Sequence, residues 1–433
     1  MRELKILVPR IKPPEYHDIV TDELNNIFSK LKQDFKIKIY WIIFQPYEFK
    51  QYFINESQII DYHKYNDAVD VIDELKPDLI ITEVLLGING IAFATAGKFR
   101  EIPVVTISNP GTSGKISKIF QLKMMIRLFF SRKVLADVSD TEQKFGFFKW
   151  AFHRYSFLVA TLKKCNKNFL ELIKFFYTYP RIQIFSNTYL VMHPILSGDL
   201  NICFNRHYYE RLLESHFDQN TLVITGDPAY DHIFDEISNI SHLTKTPEKI
   251  RVLLCLSAMH EHGWLSKDED DEIVLNILKT VLKNKQFEIA LKIHPSSSSF
   301  NEYELLLKQI GDNVKLYQKE NTIKLMNDYD VMINYGSSNV VLDVVLNGKP
   351  VVMYIFNQNE EFNRYFDPKV ISGCKTMSEL PQFITNAVTK EIKEKDFQNY
   401  VENFIGKYDG KSAERIVNHI KLLLKKYYSN NKE

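Results

Sequence analysis

The stretch Val331–Tyr354, VMINYGSSNVVLDVVLNGKPVVMY, reads as strand, tight loop, helix, turn and strand, and the fold follows from it. Val331, Met332 and Ile333 are an apolar strand, and Gly336 suits a turn where a side chain would clash. Ser337 and Ser338 are expected to open a helix that ends near Gly348, where Gly348, Lys349 and Pro350 start the next strand, Val351–Tyr354. The unpaired amides and positive dipole end of such a helix suit an anion, phosphate above all. An ordinary βαβ crossover with a serine N-cap has the same local pattern.

Working outward, the second half carries a series of similar runs: Val252–Leu256, Ile289–Ile293, Val314–Tyr317, Val331–Ile333 and Val351–Tyr354. The first half has its own, Lys5–Val8, Ile37–Phe44, Leu79–Thr82, Val104–Ile107, Leu200–Phe204 and Leu222–Thr225, most of them separated by helical patterns. Strands buried on both faces read as continuous apolar runs, so each half is expected to be a parallel sheet flanked by helices. The polar segment Glu236–Lys249 is the candidate linker, which sets the expected domains at 1–240, 241–395 and a helical tail 396–433, either free or packed back on the first domain. One insertion departs from the pattern. Residues 115–179 are helical in periodicity and rich in Phe, Tyr, Lys and Arg, which fits either packing on the first domain or a second subunit, or contact with a membrane surface.

Composition narrows the function classes. The chain has 433 residues, 45% hydrophobic and 25% charged, enough for two cores. Its 55 basic and 54 acidic residues leave a formal charge of +1, so no nucleic-acid partner is expected. The four cysteines, Cys165, Cys203, Cys255 and Cys374, are widely spaced, which indicates neither a disulfide framework nor a zinc site. The opening MRELKILVPRIKPP lacks the features of a signal peptide, and no window reaches about 18 apolar residues. A cytoplasmic location is expected, with the inner face of the membrane as an alternative.

Ligands of open α/β sheets bind beyond the carboxyl ends of strands. Four such loops in the second half hold polar groups. Ser257, His260, Glu261 and His262 follow Leu256, and His294, Pro295 and a serine run from Ser296 follow Ile293. Gly336, Ser337 and Ser338 follow the third strand, and Asn357, Gln358 and Glu361 follow the last. Pro295 biases His294 to an extended backbone, so its ring is directed either to a ligand or to a structural partner. His260 and His262 have HxH spacing but no third ligand at a recognisable distance, so no metal site is expected. The signatures GxGxxG, GxxxxGK[ST] and GxSxG are absent, so phosphate must be held in another way.

LKIHPSSS followed by INYGSSNVVLDVVLNGKPVVMY resembles the carboxyl-terminal half of GT-B glycosyltransferases. More narrowly, it is similar to the branch containing CDP-glycerol glycerophosphotransferases, bacterial sialyl- and Kdo-transferases and UDP-GlcNAc 2-epimerases. LVITGDPAYDHI, Leu222–Ile233, resembles the VTGNPxxD segment that these proteins carry where the first domain ends. IPVVTISNPGTSG, Ile102–Gly114, sits where relatives show IPVVxxxHG, but Asn109 and Pro110 stand where the His would be. The epimerases carry paired Glu on the helix after the Gly-Ser-Ser loop, where this chain has Val341, Leu342 and Asp343. That departure argues against epimerisation.

The resemblance implies two Rossmann-like domains facing across a cleft, with the donor bound by the second and the acceptor mainly by the first. It implies an inverting glycosyltransferase that needs no metal or other cofactor and takes a CMP-, CDP- or UDP-linked donor. The acceptor would be a surface glycan or a lipid-linked molecule. A polyol phosphotransferase, a hydrolysing epimerase and an inactive binding scaffold are the alternatives. Carried over by position, His294, Pro295, Ser296, Gly336, Ser337 and Ser338 would contact the donor's nucleotide or phosphate. Asp343 would reach a ribose hydroxyl or bond a neighbouring loop, and Ser257 and His260 complete the donor loops. An acceptor hydroxyl also needs a base. PRIKPPEYHDI offers Glu15, His17 and Asp18, although His17 or Asp18 would equally cap the following helix, and Glu83 and Asp227 stand in reserve.

Overall fold

The computed structural model describes residues 2–10, 19–44, 53–54, 57–83, 88–107, 147–166, 197–231, 234, 249–261, 264–295, 300–311, 314–336, 338–358 and 360–430. They form two compact units: the described residues up to Phe234 together with those from Ile405 onward, and the described residues from Lys249 to Phe404. Each is a parallel sheet covered by helices, and the two together are those of a GT-B fold.

The first unit is built on β1 (Glu3–Arg10), β2 (Lys36–Ile43), β3 (Phe53–Ile54), β4 (Ser57–Asp61), β5 (Leu79–Glu83), β6 (Val104–Ile107), β7 (Leu200–Cys203) and β8 (Leu222–Ile224). Their order across the eight-stranded sheet is β3-β4-β2-β1-β5-β6-β7-β8. Only β3 runs antiparallel, in a short hairpin on β4. The flanking helices are α1 (Ile19–Leu31), α2 (Ala68–Leu75), α3 (Ile88–Phe99), α4 (Phe147–Lys164) and α5 (Arg206–Glu214).

Alternation along the strands makes two cores. Leu7, Ile42 and Ile80 face one side, packed with Ile72 of α2, Phe93 of α3 and Phe157 and Leu162 of α4. Ile6, Val8, Ile43, Leu79 and Ile81 face the other, packed with Leu24, Ile27 and Phe28 of α1 and with Ile416, Val417, Ile420 and Leu424 of the C-terminal helix Ser412–Asn430. The described part of the insertion, α4, therefore contributes to the first unit's core.

Distant residues hold the C-terminal helix to this unit. Asp231 accepts from the amides of Ser412 at 2.9 Å and Ala413 at 2.7 Å, capping the helix's N-terminus from a distant loop. Arg415 donates from Nε to the Thr225 carbonyl at 2.6 Å and pairs with both Asp409 oxygens at 2.7 and 2.9 Å.

The second unit is a six-stranded parallel sheet of β9 (Ile250–Leu256), β10 (Phe287–Lys292), β11 (Lys315–Tyr317), β12 (Val331–Tyr335), β13 (Val351–Tyr354) and β14 (Ser372–Cys374). Its order is β11-β10-β9-β12-β13-β14. The helices are α6 (Lys267–Leu282), α7 (Phe300–Lys308), α8 (Thr322–Leu325), α9 (Val340–Leu346), α10 (Leu380–Thr389) and α11 (Glu394–Phe404). Ser266 and Glu269 close a capping box on α6. Of the two tail helices, α11 stays with this unit, where Tyr400 donates to the Tyr365 carbonyl at 2.9 Å.

Candidate functional site

From β9 the chain winds outward in one direction through β10 and β11, and in the other through β12, β13 and β14. The crossovers therefore diverge between β9 and β12, and a crevice opens at their carboxyl ends. The loops after Leu256 and after Tyr335 flank it, and register pairs those two residues directly.

Side chains tie the crevice walls together. Asn334, fully buried in β12, donates from Nδ2 to the Cys255 carbonyl at 2.9 Å and lies 3.4 Å from Ser257 Oγ. Its Oδ1 is buried with no hydrogen-bond partner among the described residues. Gly336 has φ +79°, and a Cβ there would stand 2.4 Å from Met259 Sδ. Only glycine lets the two loops close on each other. Beneath them Tyr335 donates to Asp270 Oδ1 at 2.7 Å, and Tyr303 Oη lies 3.5 Å from Asp270 Oδ2. Burial pushes the Asp270 carboxyl up to about 7, against the hydrogen bond from Tyr335.

The expected residues fall around this crevice as follows. His294, half-buried, and Pro295, exposed, come directly after β10, where the Ile293 amide donates to the Tyr317 carbonyl at 2.9 Å. Ser257 is buried, and His260 is half-buried with Nδ1 lacking a hydrogen-bond partner among the described residues. Ser338 is half-buried and accepts from the Val341 amide at 3.2 Å. Helix α9 begins at Val340 rather than at the serines, and it ends at Leu346, ahead of Gly348 as the turn signal requires. Asn339 holds the N-cap position without capping, because its Oδ1 accepts from Tyr365 Oη at 2.6 Å.

Asp343 is half-buried on α9 and lies within electrostatic reach of Cys255 and Lys292. Glu15, His17, Asp18, Ser296, Ser337 and His262 lie outside the described residues. Of the reserve candidates, Glu83 pairs with Arg10 at 3.4 Å, and Asp227 caps the turn Pro228–Tyr230 through the Ala229 amide.

The sequence profile of the CDP-glycerol:poly(glycerophosphate) glycerophosphotransferase family matches residues 192–422. The chain belongs to that family. Among curated proteins no relative is matched. Among solved structures, the glycotransferase of kitacinnamycin is similar with a TM-score of 0.54 and 10% identity, covering 98% of this chain and 100% of that one. The UDP-GlcNAc 2-epimerase from Methanocaldococcus jannaschii has a TM-score of 0.52 at 14% identity, covering 97% and 99%. The enzyme of that name from Neisseria meningitidis, solved bound to UDP-GlcNAc, has 0.51 at 14%, covering 96% and 99%. At such identities the likeness is one of fold.

The family match spans all the crevice loops, including residues that pattern reading passed over. Lys292 sits in the apolar run of β10 yet is buried, donating from Nζ to the Gln318 carbonyl at 3.2 Å. Burial pushes its pKa down, while Cys255, Glu320 and Asp343 oppose that. A charged residue inside an apolar strand two positions before His294 was the available signal. Asn334, polar within VMINY, was another. Asp270 gave none, because KDEDDE reads as an acidic first turn complementing a helix dipole.

Proposed function

We propose that the chain is a GT-B transferase that takes a CMP-, CDP- or UDP-linked donor at the crevice between β9 and β12 and passes the activated group to a hydroxyl of a glycan or lipid-linked acceptor. The observation that carries the reading is the reversal of strand order at that crevice, closed by Gly336 against Met259. Membership of a glycerophosphotransferase family favours a polyol phosphate over a sugar as the group transferred.

In this reading His294 and the backbone from Gly336 to Ser338 hold donor phosphate. Lys292 and Asn334 set the polar floor beneath. The leaving nucleotide gains negative charge in the transition state, and preorganised hydrogen-bond donors stabilise it there. A lipid-linked acceptor lies at a membrane surface, so contact through 115–179 belongs to the same proposal. Phe152 of α4, 72% exposed, suits such contact.

The test is a thermal-shift series of the full chain with CMP, CDP, UDP and GDP. A nucleotide at about a hundred times its Kd adds about 2.7 kcal/mol to apparent stability. CMP, CDP or UDP should raise the Tm and GDP should not, and His294→Ala and Ser338→Ala should each weaken the nucleotide that binds about 10- to 100-fold, as expected for lost hydrogen bonds to a charged group. A chain that responds to none of them, or variants that bind as the wild type does, would overturn the reading.

A further inference from the structure

Beneath the crevice of the second unit lies one buried carboxyl group. Asp270, in the first turn of α6, is 1% exposed. Each of its oxygens faces a phenol from another element: Tyr335 of β12 donates to Oδ1 at 2.7 Å, and Tyr303 Oη of α7 lies 3.5 Å from Oδ2. Both rings are buried. Burial and the charge of Asp270 push both phenols upward, so each keeps its proton and stays a donor.

Both walls of the crevice lead to this carboxyl. Tyr335 is the last residue of β12, so a single peptide bond joins the residue tied to Asp270 to the turn at Gly336. The other wall, the loop after β9, is folded by the Trp264 and Leu265 amides, which donate to the Met259 carbonyl at 2.9 and 3.3 Å, and it runs straight into α6. Half-buried Glu261 of that loop acts on Asp270 through its charge. The other titratable and charged groups facing Asp270 are Lys267 and Asp271 on its own helix, Tyr303 on α7 and Tyr335 on β12. Lys267 is engaged elsewhere: it pairs with Asp271 and, at 3.8 Å, with Glu302, and it lies 4.5 Å over the Tyr303 ring. Asp270 thus has hydrogen-bond donors but no ion pair among the described residues, and a buried carboxylate without one holds its charge at a desolvation cost.

We propose that Asp270 is a positioning residue of the crevice that couples nucleotide binding to a proton: Asp270 takes a proton from solvent as the nucleotide's phosphate enters, and returns it as the nucleotide leaves. The proposal rests on the nucleotide-binding reading above and adds its regulation. Ionised or neutral, Asp270 keeps an oxygen that accepts from Tyr335, so the tie to β12 survives and only the charge beneath the crevice changes. An arriving phosphate disfavours a second negative charge and so favours the neutral acid. By reciprocity the neutral acid favours the phosphate. Burial places the carboxyl at about 7, so the coupling acts in the neutral range, and affinity falls as pH rises through it.

The test is calorimetric titration of the full chain, between about pH 6 and pH 8, with whichever of CMP, CDP and UDP raises the Tm. Asp270→Asn, an isostere of the neutral acid, is the reference, because the nucleotide's own titration is common to both chains. Relative to that variant, the wild type should lose at least about 5-fold in affinity across the range. Near pH 7, titrations in two buffers of different ionisation enthalpy should show proton uptake by the wild type in excess of the variant.

Two further variants should move the midpoint of this loss in opposite directions, which a purely structural role would not do. Tyr335→Phe removes a hydrogen bond that favours the ionised carboxyl and should move it to higher pH. Glu261→Gln removes a like charge and should move it to lower pH, and this change in a half-buried loop side chain keeps the proposal testable if Asp270→Asn does not fold. Wild-type affinity that runs parallel to that of Asp270→Asn, or midpoints that both variants leave in place, would overturn the coupling while nucleotide binding stands. A chain that binds no nucleotide overturns the donor reading and the coupling together, and is told apart by its flat thermal-shift series.

Discussion

Replacing Gly336 by alanine tests the closure of the crevice directly. At φ +79° an L-residue meets its own carbonyl, which costs about 1–2 kcal/mol. The new Cβ would also stand 2.4 Å from Met259 Sδ and 3.1 Å from its Cε, and Met259 is itself buried, so the thioether must swing into filled space. Crowding of this kind costs about 1–3 kcal/mol, with a flexible Met at the lower end. The sum is about 2–4 kcal/mol. Gly410 separates the two effects, since its φ is +69° but the atom nearest an added Cβ is 3.4 Å away. Gly410→Ala should therefore show only the backbone cost. Urea unfolding of the full chain, followed by tryptophan emission, measures both; Trp264 reports from the loop itself, where its amide donates to the Met259 carbonyl at 2.9 Å. Gly336→Ala combined with Met259→Ala should cost about 1–2 kcal/mol less than the sum of the singles, because the pair shares one clash. A Gly336→Ala chain no less stable than Gly410→Ala would refute the reasoning that only glycine lets these loops meet.

Two further predictions concern stability. Asp270 has a folded pKa of about 7 against an ordinary 3.8, so the folded state holds the extra proton and stability falls as pH rises between those values, by up to about 1.4 kcal/mol per pH unit. Asp270→Asn should flatten that slope in urea unfolding measured across the window; an unchanged slope would show that another group titrates. Arg415→Ala removes the contacts of the C-terminal helix with Thr225 and Asp409 and should destabilise the first unit by about 2–4 kcal/mol, read as a lower urea midpoint, whereas a loss under about 0.5 kcal/mol would mean that apolar packing alone seats the helix.

Much of the fold was legible because it depends on local rules. Ile6–Val8 of β1 and Val252–Leu256 of β9 are apolar throughout, as strand segments covered on both faces must be, and NGKPVV places the end of α9 to within two residues. What was missed depends on distant partners. SQIID in β4 has too few branched apolar residues to stand out, and it becomes a strand by pairing with β2. SGC in β14 is short and holds a glycine, and its register on β13 determines it. The start of α9 shifted for the same reason. Asn339 is a good cap by type, but Tyr365 claims its oxygen, a contact across 26 residues that no window contains.

The same distinction separates the β9–β12 crevice from the buried polar cluster around Tyr62 in the first unit. A backbone that must turn sharply beside a ligand demands glycine, and a strand end beside a fixed proline biases its histidine, so the β9–β12 crevice is marked by residue types at short spacing. The first unit's cluster has no such constraint. Asp61 and His63 are neighbours, but His153 reaches them only because α4 packs on α3 and α2 over the sheet, and Asn89 joins through Arg154. Nothing local in KWAFHRYSF distinguishes a histidine that faces Tyr62 from one that faces solvent. The informative signal appears only after folding: polar atoms buried with no hydrogen-bond partner among the described residues. A polar cluster made by side chains from separate elements is therefore read only from the packed structure, whereas a crevice made by backbone geometry is already written in its glycines and prolines.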